Sequence, residues 1–263
     1  MVGNGVTNWE YDTTNAYIDM AYWHSLIDTQ LHDAFVENNC DFKGPYMRGV
    51  SDVCWSLFDE FNSLVAEVNV YDIFGVCYGS WPYPQLYASH DGKQHRDTPL
   101  SSYTPWLHHG KPSHMLKELP PCTFGTPILD YLNLAEVRAE LHIPSDIQAW
   151  DLCTSDIEYV IQPKGSQWIY EALAGKYRML HYSGDIDGAV PTIGTQNWIA
   201  SLDWEVTSMW RPYMVENQVA GYLESYADTL TFAPVHGAGH MAPQFKRPQT
   251  YHLIFNWVNQ TKI

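Results

Sequence analysis

The sequence predicts an α/β fold, because short apolar strands alternate with helical segments after residue 175. KYRMLHYSG (176–184) stops at a Gly-Asp turn, and DTLTFAPV (228–235) alternates like a strand. Residues 195–204 and 248–258 follow these strands with the apolar spacing of helices. Each strand is followed by a polar turn, and chemistry in α/β proteins is found at such strand ends.

Helical spacing also marks the first half of the chain. Apolar residues recur at helical intervals in 16–37 and in 52–68, which predicts two helices. Residues 132–144 predict another helix with Asn133 as its N-cap. Residues 80–128, in contrast, are rich in Pro, Tyr, His and Gly and have no periodicity. Such a long irregular segment is typically functional or an insertion.

Two helices predicted in the second half of the chain carry signals for where they begin or end. WIYEALAG (168–175) is one, and we expect it to end at Gly175. PQTYHLIFNWV (248–258) is the other, and Pro248 suits its first turn. The apolar face predicted for this C-terminal helix consists of Tyr251, Ile254, Trp257 and Val258.

The charge balance excludes two classes of partner. Fourteen Lys and Arg residues stand against thirty Asp and Glu residues, a net charge of −16. We therefore expect no nucleic acid and no anionic membrane surface as partner, since both require basic residues. We also expect no membrane span and no signal peptide, because the chain has no long apolar run and opens without a basic or apolar segment. An acidic secreted or vesicular protein fits these features.

Five cysteines permit two interpretations. They are Cys40, Cys54, Cys77, Cys122 and Cys153, and neither a CxxC motif nor a paired His/Cys spacing indicates a metal site. The five are either buried free thiols, or two disulfides and one cysteine whose partner lies elsewhere. Asn259 begins a glycosylation sequon, a triplet that is common by chance.

The two polar turns are the candidate site. They are YSGDIDGAVP (182–191) and VHGAGHMAP (235–243). An acid followed by a histidine, late in an α/β chain, matches the order of a Ser-Asp-His triad. In that chemistry the histidine takes the serine proton, and the carboxylate orients the imidazole and stabilises its charged form. His240 is the predicted base and Asp187 the predicted acid.

Asp185 competes with Asp187 for the role of the acid. Asp187 is preferred because it directly precedes the segment Gly188–Pro191. The expected role of Asp185 is that of a turn aspartate that binds its own backbone. His236 is expected to be a surface residue or a supporting neighbour of the site.

Several segments resemble the serine carboxypeptidase family, the group of lysosomal cathepsin A and the plant vacuolar enzymes. The resemblance covers nearly the whole chain and includes VGNGVTN, NVYDIFGVCYG, LNLAEVRAELHI, YSGDIDGAVPTIGTQNWI, SMWRPYMVENQVAGYLESY and LTFAPVHGAGHMAPQFKRP. It implies the C-terminal part of an α/β-hydrolase fold with a mainly helical insertion. The hydrolase core would begin in residues 1–12, the insertion region would span 13–130, and the C-terminal core would span 131–263.

The same resemblance implies an activity and a set of residues. The reaction is removal of the C-terminal residue of a peptide at acidic pH, through an acyl-enzyme and without a cofactor or metal. Asp187 and His240 would belong to the triad, and Met241 would line the pocket for the leaving residue. Cys40–Cys54 and Cys77–Cys122 would be disulfides, and Cys153 would pair outside these residues. The implied location is a lysosome or vacuole, or the exterior of the cell.

A nucleophile in the G-x-S-x-G context of the family is not found in these residues. Ser51 lacks the second glycine, and Ser80 lacks both. We therefore expect the chain alone to be inactive, and we expect its partner to be an N-terminal half or a second chain with the G-x-S-x-G elbow. Three interpretations stay open: a portion of a longer enzyme, a subunit of a split enzyme, or a truncated, non-catalytic paralogue with a structural or binding role. Peptide hydrolysis and acyl transfer are not distinguished.

Overall fold

The computed structural model describes residues 1–12, 14–44, 47–75, 126–150, 162 and 164–263. The strands in these residues are β1 (Val2–Gly3), β2 (Met179–Gly184), β3 (Val206–Val215), β4 (Gln218–Tyr226) and β5 (Leu230–Val235). They form one sheet in the order β1-β2-β5-β4-β3. Neighbours are parallel from β1 to β5 and antiparallel from β5 to β3. The predicted α/β fold is confirmed.

Some helices of the described residues pack on this sheet, and three near the N-terminus pack on one another. The helices are α1 (Thr14–Trp23), α2 (Thr29–Glu37), α3 (Asp52–Val65), α4 (Thr126–Leu132), α5 (Ala135–Glu140), α6 (Gln167–Leu173), α7 (Thr192–Ala200), α8 (Ala242–Phe245) and α9 (Arg247–Asn259). None of the helices in the described ranges is long and apolar enough to cross a membrane.

The side chains of β2 alternate between the two faces of the sheet. Leu180 packs in one apolar cluster with Leu253 of α9, whereas Met179 packs in another with Tyr170 of α6 and Trp198 of α7. This alternation follows from the two-residue period of a strand. The sheet is therefore covered by helices on both faces, as an α/β fold requires.

Helices α1, α2 and α3 form their own aromatic core. Tyr17, Phe35, Phe58 and Phe61 are all buried there, and they pack with edge-to-face and stacked ring contacts. The single helix predicted over 16–37 is wrong. The chain breaks after α1, and the Asp28 carboxylate starts α2 by accepting the Leu31 N–H at 2.9 Å.

The Cys40–Cys54 disulfide is present in the structure. Its two Cα atoms are 5.5 Å apart, and it joins the segment after α2 to the first turn of α3. It therefore fastens the helical group in the way the resemblance implies. Cys77, Cys122 and Cys153 lie outside the described residues, so their pairing stays a prediction.

The helix predicted over 132–144 is shorter, and its predicted cap is wrong. Leu134 occupies the N-cap position of α5. The Asn133 side chain instead bonds both the N–H and the C=O of Trp150, at 2.7 and 2.8 Å. The amide thus holds a distant backbone segment and is not available to the helix N-terminus. In contrast, α6 ends at Leu173, close to Gly175, which has a positive φ of 70°.

The predicted apolar face of α9 is also wrong. Thr250 and Leu253 are the buried residues of this helix, whereas Tyr251 is 67 % and Val258 49 % exposed. Trp257, four residues after Leu253, is partly buried against the same cluster. Several large apolar residues of α9 therefore face away from the sheet, and apolar content alone placed the face wrongly.

The β3–β4 hairpin was not predicted. Its turn is Glu216-Asn217, and both residues have positive φ angles, 51° and 60°, as in the two-residue turns that suit twisted hairpins. Tyr213 is the one buried residue among those of β3. Without a buried alternate row, the strand has no period-two apolar pattern, and only the turn could have indicated it.

Two buried titratable residues are Asp12, near the N-terminus, and His181 of β2. Burial raises the pKa of Asp12 to about 7, although the N–H groups of Thr7 and Asn8 donate to its Oδ2. Burial lowers the pKa of His181 to about 3. The hydroxyl of Tyr170 lies 2.8 Å from His181 Nδ1, and the Asp12 charge acts on the same hydroxyl. The folded protein thus favours a protonated Asp12 and a neutral His181.

These shifts predict two opposing pH dependences of stability. Asp12 binds its proton more tightly when folded, so its contribution falls as pH rises from 3.8 to about 7. His181 loses its proton on folding, so its contribution grows as pH rises from about 3 to 6.5. Each slope is about 1.4 kcal/mol per pH unit at most. From these two groups together, we expect stability to be nearly constant over the shared range.

Urea unfolding of single variants at several pH values tests this cancellation. Asp12→Asn is expected to leave a stability that rises with pH between about 4 and 6.5, because only the His181 linkage is left. His181→Gln is expected to leave a stability that falls over the same range. Parallel pH profiles for the wild type and both variants would contradict the assignment.

Candidate active site

The two polar turns come from adjacent parallel strands. Gly184, the last residue of β2, is paired with Val235, the last residue of β5. Both strands therefore end at the same edge of the sheet, and the segments that follow them meet there. We call residues 185–191 the acid loop and residues 236–241 the histidine loop.

The two loops approach so closely that a side chain at Gly184 would not fit. A Cβ atom there would lie 2.2 Å from the carbonyl oxygens of both Ala238 and Gly239. The N–H of Ile186 donates to the Ala238 oxygen at 3.0 Å, which joins the loops through their backbones. Glycine at the end of β2 is therefore a requirement of this contact.

Asp187 is fully buried and is fixed by four polar contacts. Its Oδ1 accepts the N–H groups of Ala189 and Val190 at 2.8 and 3.2 Å. Its Oδ2 accepts Asn4 Nδ2 at 2.9 Å and lies 2.8 Å from His240 Nδ1. Contacts to both oxygens compensate the burial of the carboxylate and orient it toward the histidine.

Asn4 is a site residue that sequence analysis missed. It follows β1, is buried, and has a positive φ of 49°. Its N–H donates to the Tyr182 oxygen, so the backbone of this residue continues the pairing of β1 with β2. An asparagine in an unusual backbone conformation directly after a strand is the signal that could have indicated it.

His240 has one ring nitrogen at the buried acid and the other on the accessible side. The side chain is 29 % exposed, and Nδ1 faces Asp187. Its backbone N–H donates to the Tyr71 oxygen at 2.6 Å, and the two rings lie 5.2 Å apart. A Cβ atom at Gly239 would lie 2.1 Å from that same oxygen, which explains why glycine precedes the histidine.

Residues 70–73 bridge the acid loop and the histidine loop. The Val70 oxygen accepts the Gly188 N–H at 2.8 Å, and the Ile73 N–H donates to the Ile186 oxygen at 3.2 Å. Together with the contact between Tyr71 and His240, these bonds tie both loops to the segment after α3. We call residues 70–73 the bridging segment.

Asp185 does not have the role that the sequence predicted. Its Oδ1 accepts the Gly237 N–H at 2.6 Å, and its Oδ2 lies 2.7 Å from His236 Nδ1. Both partners belong to the histidine loop, not to the turn of Asp185 itself. His236 is thus an exposed residue that pairs with Asp185, while His240 pairs with Asp187.

The other predicted residues are placed as follows. Met241 follows His240 and precedes α8, and Asn259 is exposed at the end of α9, so their roles in substrate binding and glycosylation stay predictions. Ser51 is the N-cap of α3, and its Oγ accepts the Cys54 N–H at 3.3 Å. Ser80 lies outside the described residues. In the described part of the chain, no group of three or more His, Cys, Asp and Glu residues could hold a metal ion.

Comparisons with known proteins agree in one family. A family model described as serine carboxypeptidase matches residues 1–260. Serine carboxypeptidase 1 of Hordeum vulgare is 29 % identical over 286 residues, covering 100 % of this chain and 56 % of the relative. The lysosomal protective protein of Mus musculus is 28 % identical over 280 residues, covering 98 % and 58 %. The chain thus spans just over half the length of these relatives.

A solved structure is similar as well. The prohormone-processing carboxypeptidase Kex1(delta)p of Saccharomyces cerevisiae aligns with a TM-score of 0.59 and 16 % sequence identity. The alignment covers 98 % of this chain and 53 % of that one. At this identity the match supports the α/β-hydrolase fold and nothing further.

Proposed function

This chain belongs to the serine carboxypeptidase family, and on that premise we propose that it carries the acid and the base of a Ser-Asp-His carboxypeptidase. The observation that supports this most directly is the 2.8 Å contact between His240 Nδ1 and Asp187 Oδ2. With Nδ1 directed to the buried carboxylate, Nε2 is the nitrogen that can accept a proton from a serine.

In the proposed mechanism His240 acts first as base and then as acid. Nε2 takes the serine proton as Oγ attacks the carbonyl of the last peptide bond, and then donates a proton to the leaving amino acid. The same nitrogen then activates water, which releases the shortened peptide from the acyl-enzyme. Asp187 keeps the imidazole oriented and stabilises its positive charge in both steps. Met241 lines the pocket of the leaving residue.

The serine belongs to polypeptide outside these 263 residues. Family relatives are nearly twice as long as this chain, and two features of the described residues support a covering partner. Helix α5 buries no residue. Six large apolar side chains between residues 128 and 147 are exposed: Ile128, Tyr131, Leu134, Leu141, Ile143 and Ile147. A short helix without a buried face gains little stability in water, so we propose that another segment packs on it.

The edge of the sheet supports the same proposal. Strand β1 contributes two residues and pairs on one side with β2, and it is an edge of the described sheet. Sheet edges that carry unpaired N–H and C=O groups favour pairing with a further strand. We propose that the segment with the G-x-S-x-G elbow adds at this edge, next to Asn4. The proposal also includes a Cys77–Cys122 disulfide and a second disulfide from Cys153 to the added segment. It includes a lysosomal, vacuolar or secreted location.

The test uses the native protein, purified without reduction. Intact mass and N-terminal sequencing establish which polypeptide accompanies residues 1–263. A fluorophosphonate probe then reports an activated serine, and mass spectrometry of the digested protein locates the labelled residue. We expect one labelled serine within G-x-S-x-G and the release of C-terminal amino acids from an unstructured peptide at acidic pH.

The alternative outcomes distinguish the open interpretations. A native protein that lacks a second segment, is not labelled and releases no amino acid would overturn the proposal in favour of a non-catalytic paralogue. Labelling without amino-acid release, together with ester formation from an acyl donor and an alcohol, would indicate acyl transfer.

A further inference from the structure

We propose that Asp185 is a positioning residue for His240, because it anchors the start of the histidine loop to the acid loop. The proposal rests on the proposed function for its catalytic meaning, but its geometry can be tested without activity. Asp185 does not contact His240 itself, and it acts through the backbone between Gly237 and His240.

Two short contacts from one carboxylate hold the loop at its first turn. Oδ1 accepts the Gly237 N–H at 2.6 Å, and Oδ2 lies 2.7 Å from His236 Nδ1. Gly237 has a positive φ of 69°, which marks the sharp turn where the chain leaves β5. Two residues separate Gly237 from His240, so a shift of the turn is transmitted to the imidazole over a short distance.

The histidine loop is fixed at this turn by the backbone as well. The His236 N–H donates to the Ala220 oxygen at 2.9 Å, and the Asp185 N–H donates to the Val235 oxygen at 3.3 Å. These two bonds hold the neighbouring strands, whereas the turn after Gly237 is held by the Ile186 N–H, which donates to the Ala238 oxygen at 3.0 Å, and by the His240 N–H, which donates to the Tyr71 oxygen at 2.6 Å. The Asp185 side chain adds a second link to the acid loop, at Gly237 itself, one residue before the backbone bond of Ala238.

Asp185 lies in a partly enclosed environment that strengthens its contacts. Its side chain is 30 % exposed, compared with 64 % for His236. Burial, together with the nearby Asp185 charge, raises the pKa of Tyr213, a residue of the sheet core. Lys246 approaches the same turn, since a Cβ atom at Gly237 would lie 3.2 Å from its Nζ. Partial burial reduces solvent screening of the bonds that Asp185 makes.

The side chains of the acid loop thus anchor the histidine loop at two points. Asp187 holds the imidazole directly, and Asp185, two residues earlier, holds the turn from which the imidazole extends. Catalytic groups lose rate steeply when they are displaced, and about 1 Å of misplacement can cost about 100-fold. An anchor on the turn is therefore expected to affect the chemical step more than peptide binding.

The experiment compares Asp185→Ala and Asp185→Asn in the native protein labelled with ¹⁵N-histidine. The matched control is Asp19→Asn, because Asp19 faces His32 in another exposed Asp–His pair, far along the chain from both loops. For Asp185→Ala we expect the Nδ1 proton of His240 to exchange with solvent about tenfold faster. Asp185→Asn keeps an oxygen for the Gly237 N–H and is expected to lie between Asp185→Ala and the wild type.

The kinetic part of the experiment separates positioning from a general structural role. For Asp185→Ala we expect kcat to fall about tenfold or more with little change in KM. Unchanged His240 exchange and unchanged kcat in a folded Asp185→Ala protein would overturn the proposal. If that variant does not fold, the same readouts on Asp185→Asn and His236→Ala decide. An altered His240 signal in a protein whose wild type has no activity would sustain the anchor and overturn only the proposed function.

Discussion

Replacing Asp187 with asparagine is expected, on the proposed function, to lower kcat of the native protein by about 10⁴-fold, as the same change does in a Ser-His-Asp protease. The Oδ2 atom accepts from Asn4 and faces His240 Nδ1. An amide NH₂ at that position would oppose donors on both sides, and an amide oxygen there would carry no full charge. Either orientation favours the wrong imidazole tautomer or leaves the protonated imidazole without a counter-charge.

Steady-state kinetics measure this effect on a dipeptide substrate from which the C-terminal amino acid is released. Asp19→Asn serves as the matched control, since it makes the same chemical change at a surface pair of α1 and is expected to keep full activity. Fluorophosphonate labelling of Asp187→Asn should slow in parallel with kcat, because both reactions require the base. Retention of more than about a tenth of wild-type kcat would exclude Asp187 as the orienting acid.

Gly184→Ala is expected to lower the free energy of unfolding by about 3 kcal/mol or more, the upper range for inserting one methyl group into a packed site. The added Cβ would lie 2.2 Å from two backbone oxygens, Ala238 O and Gly239 O. Backbone atoms at the end of paired strands cannot move aside as a flexible side chain could. The loops must separate, and the contact between Asp187 and His240 would lengthen with them.

Denaturant unfolding of the native protein measures this loss, with Gly175→Ala as the control. Gly175 has a positive φ of 70°, but a Cβ there would meet no atom within 4 Å. That variant is expected to lose only about 1 kcal/mol of unfolding free energy, because alanine is less favourable than glycine at a positive φ. Equal losses for both variants would show that the close approach of the two loops is not what requires Gly184.

The two candidate residues that meet at 2.8 Å, Asp187 and His240, could be singled out because each is encoded locally. A short strand followed by a polar, glycine-containing turn places a side chain at the sheet edge, and the order of Asp187 and His240 along the chain completed the hypothesis. Asn4 could not be found in this way. It meets Asp187 across 183 residues of sequence, and only the pairing of β1 with β2 brings the two together.

The sequence also did not predict the bonding partners of residues that can choose between two. Asp185 was expected to bind its own turn, and a turn aspartate commonly does so. The structure instead offers it the Gly237 N–H and the His236 ring, which become available only after β2 and β5 pair. The same reason applies to α9, whose buried face depends on how the helix lies on the sheet rather than on its apolar content.

The bridging segment makes the two loops dependent on the helical group. Val70 and Ile73 belong to the aromatic core of the helical group, and that core also includes Ile186 and Ala189 of the acid loop. The loops that bear Asp187 and His240 therefore have their full set of backbone bonds only in a molecule whose helical group is folded. Unfolding of the helical group would remove the bonds from residues 70–73, so the placement of Asp187 and His240 depends on a part of the chain that contributes no strand to the sheet.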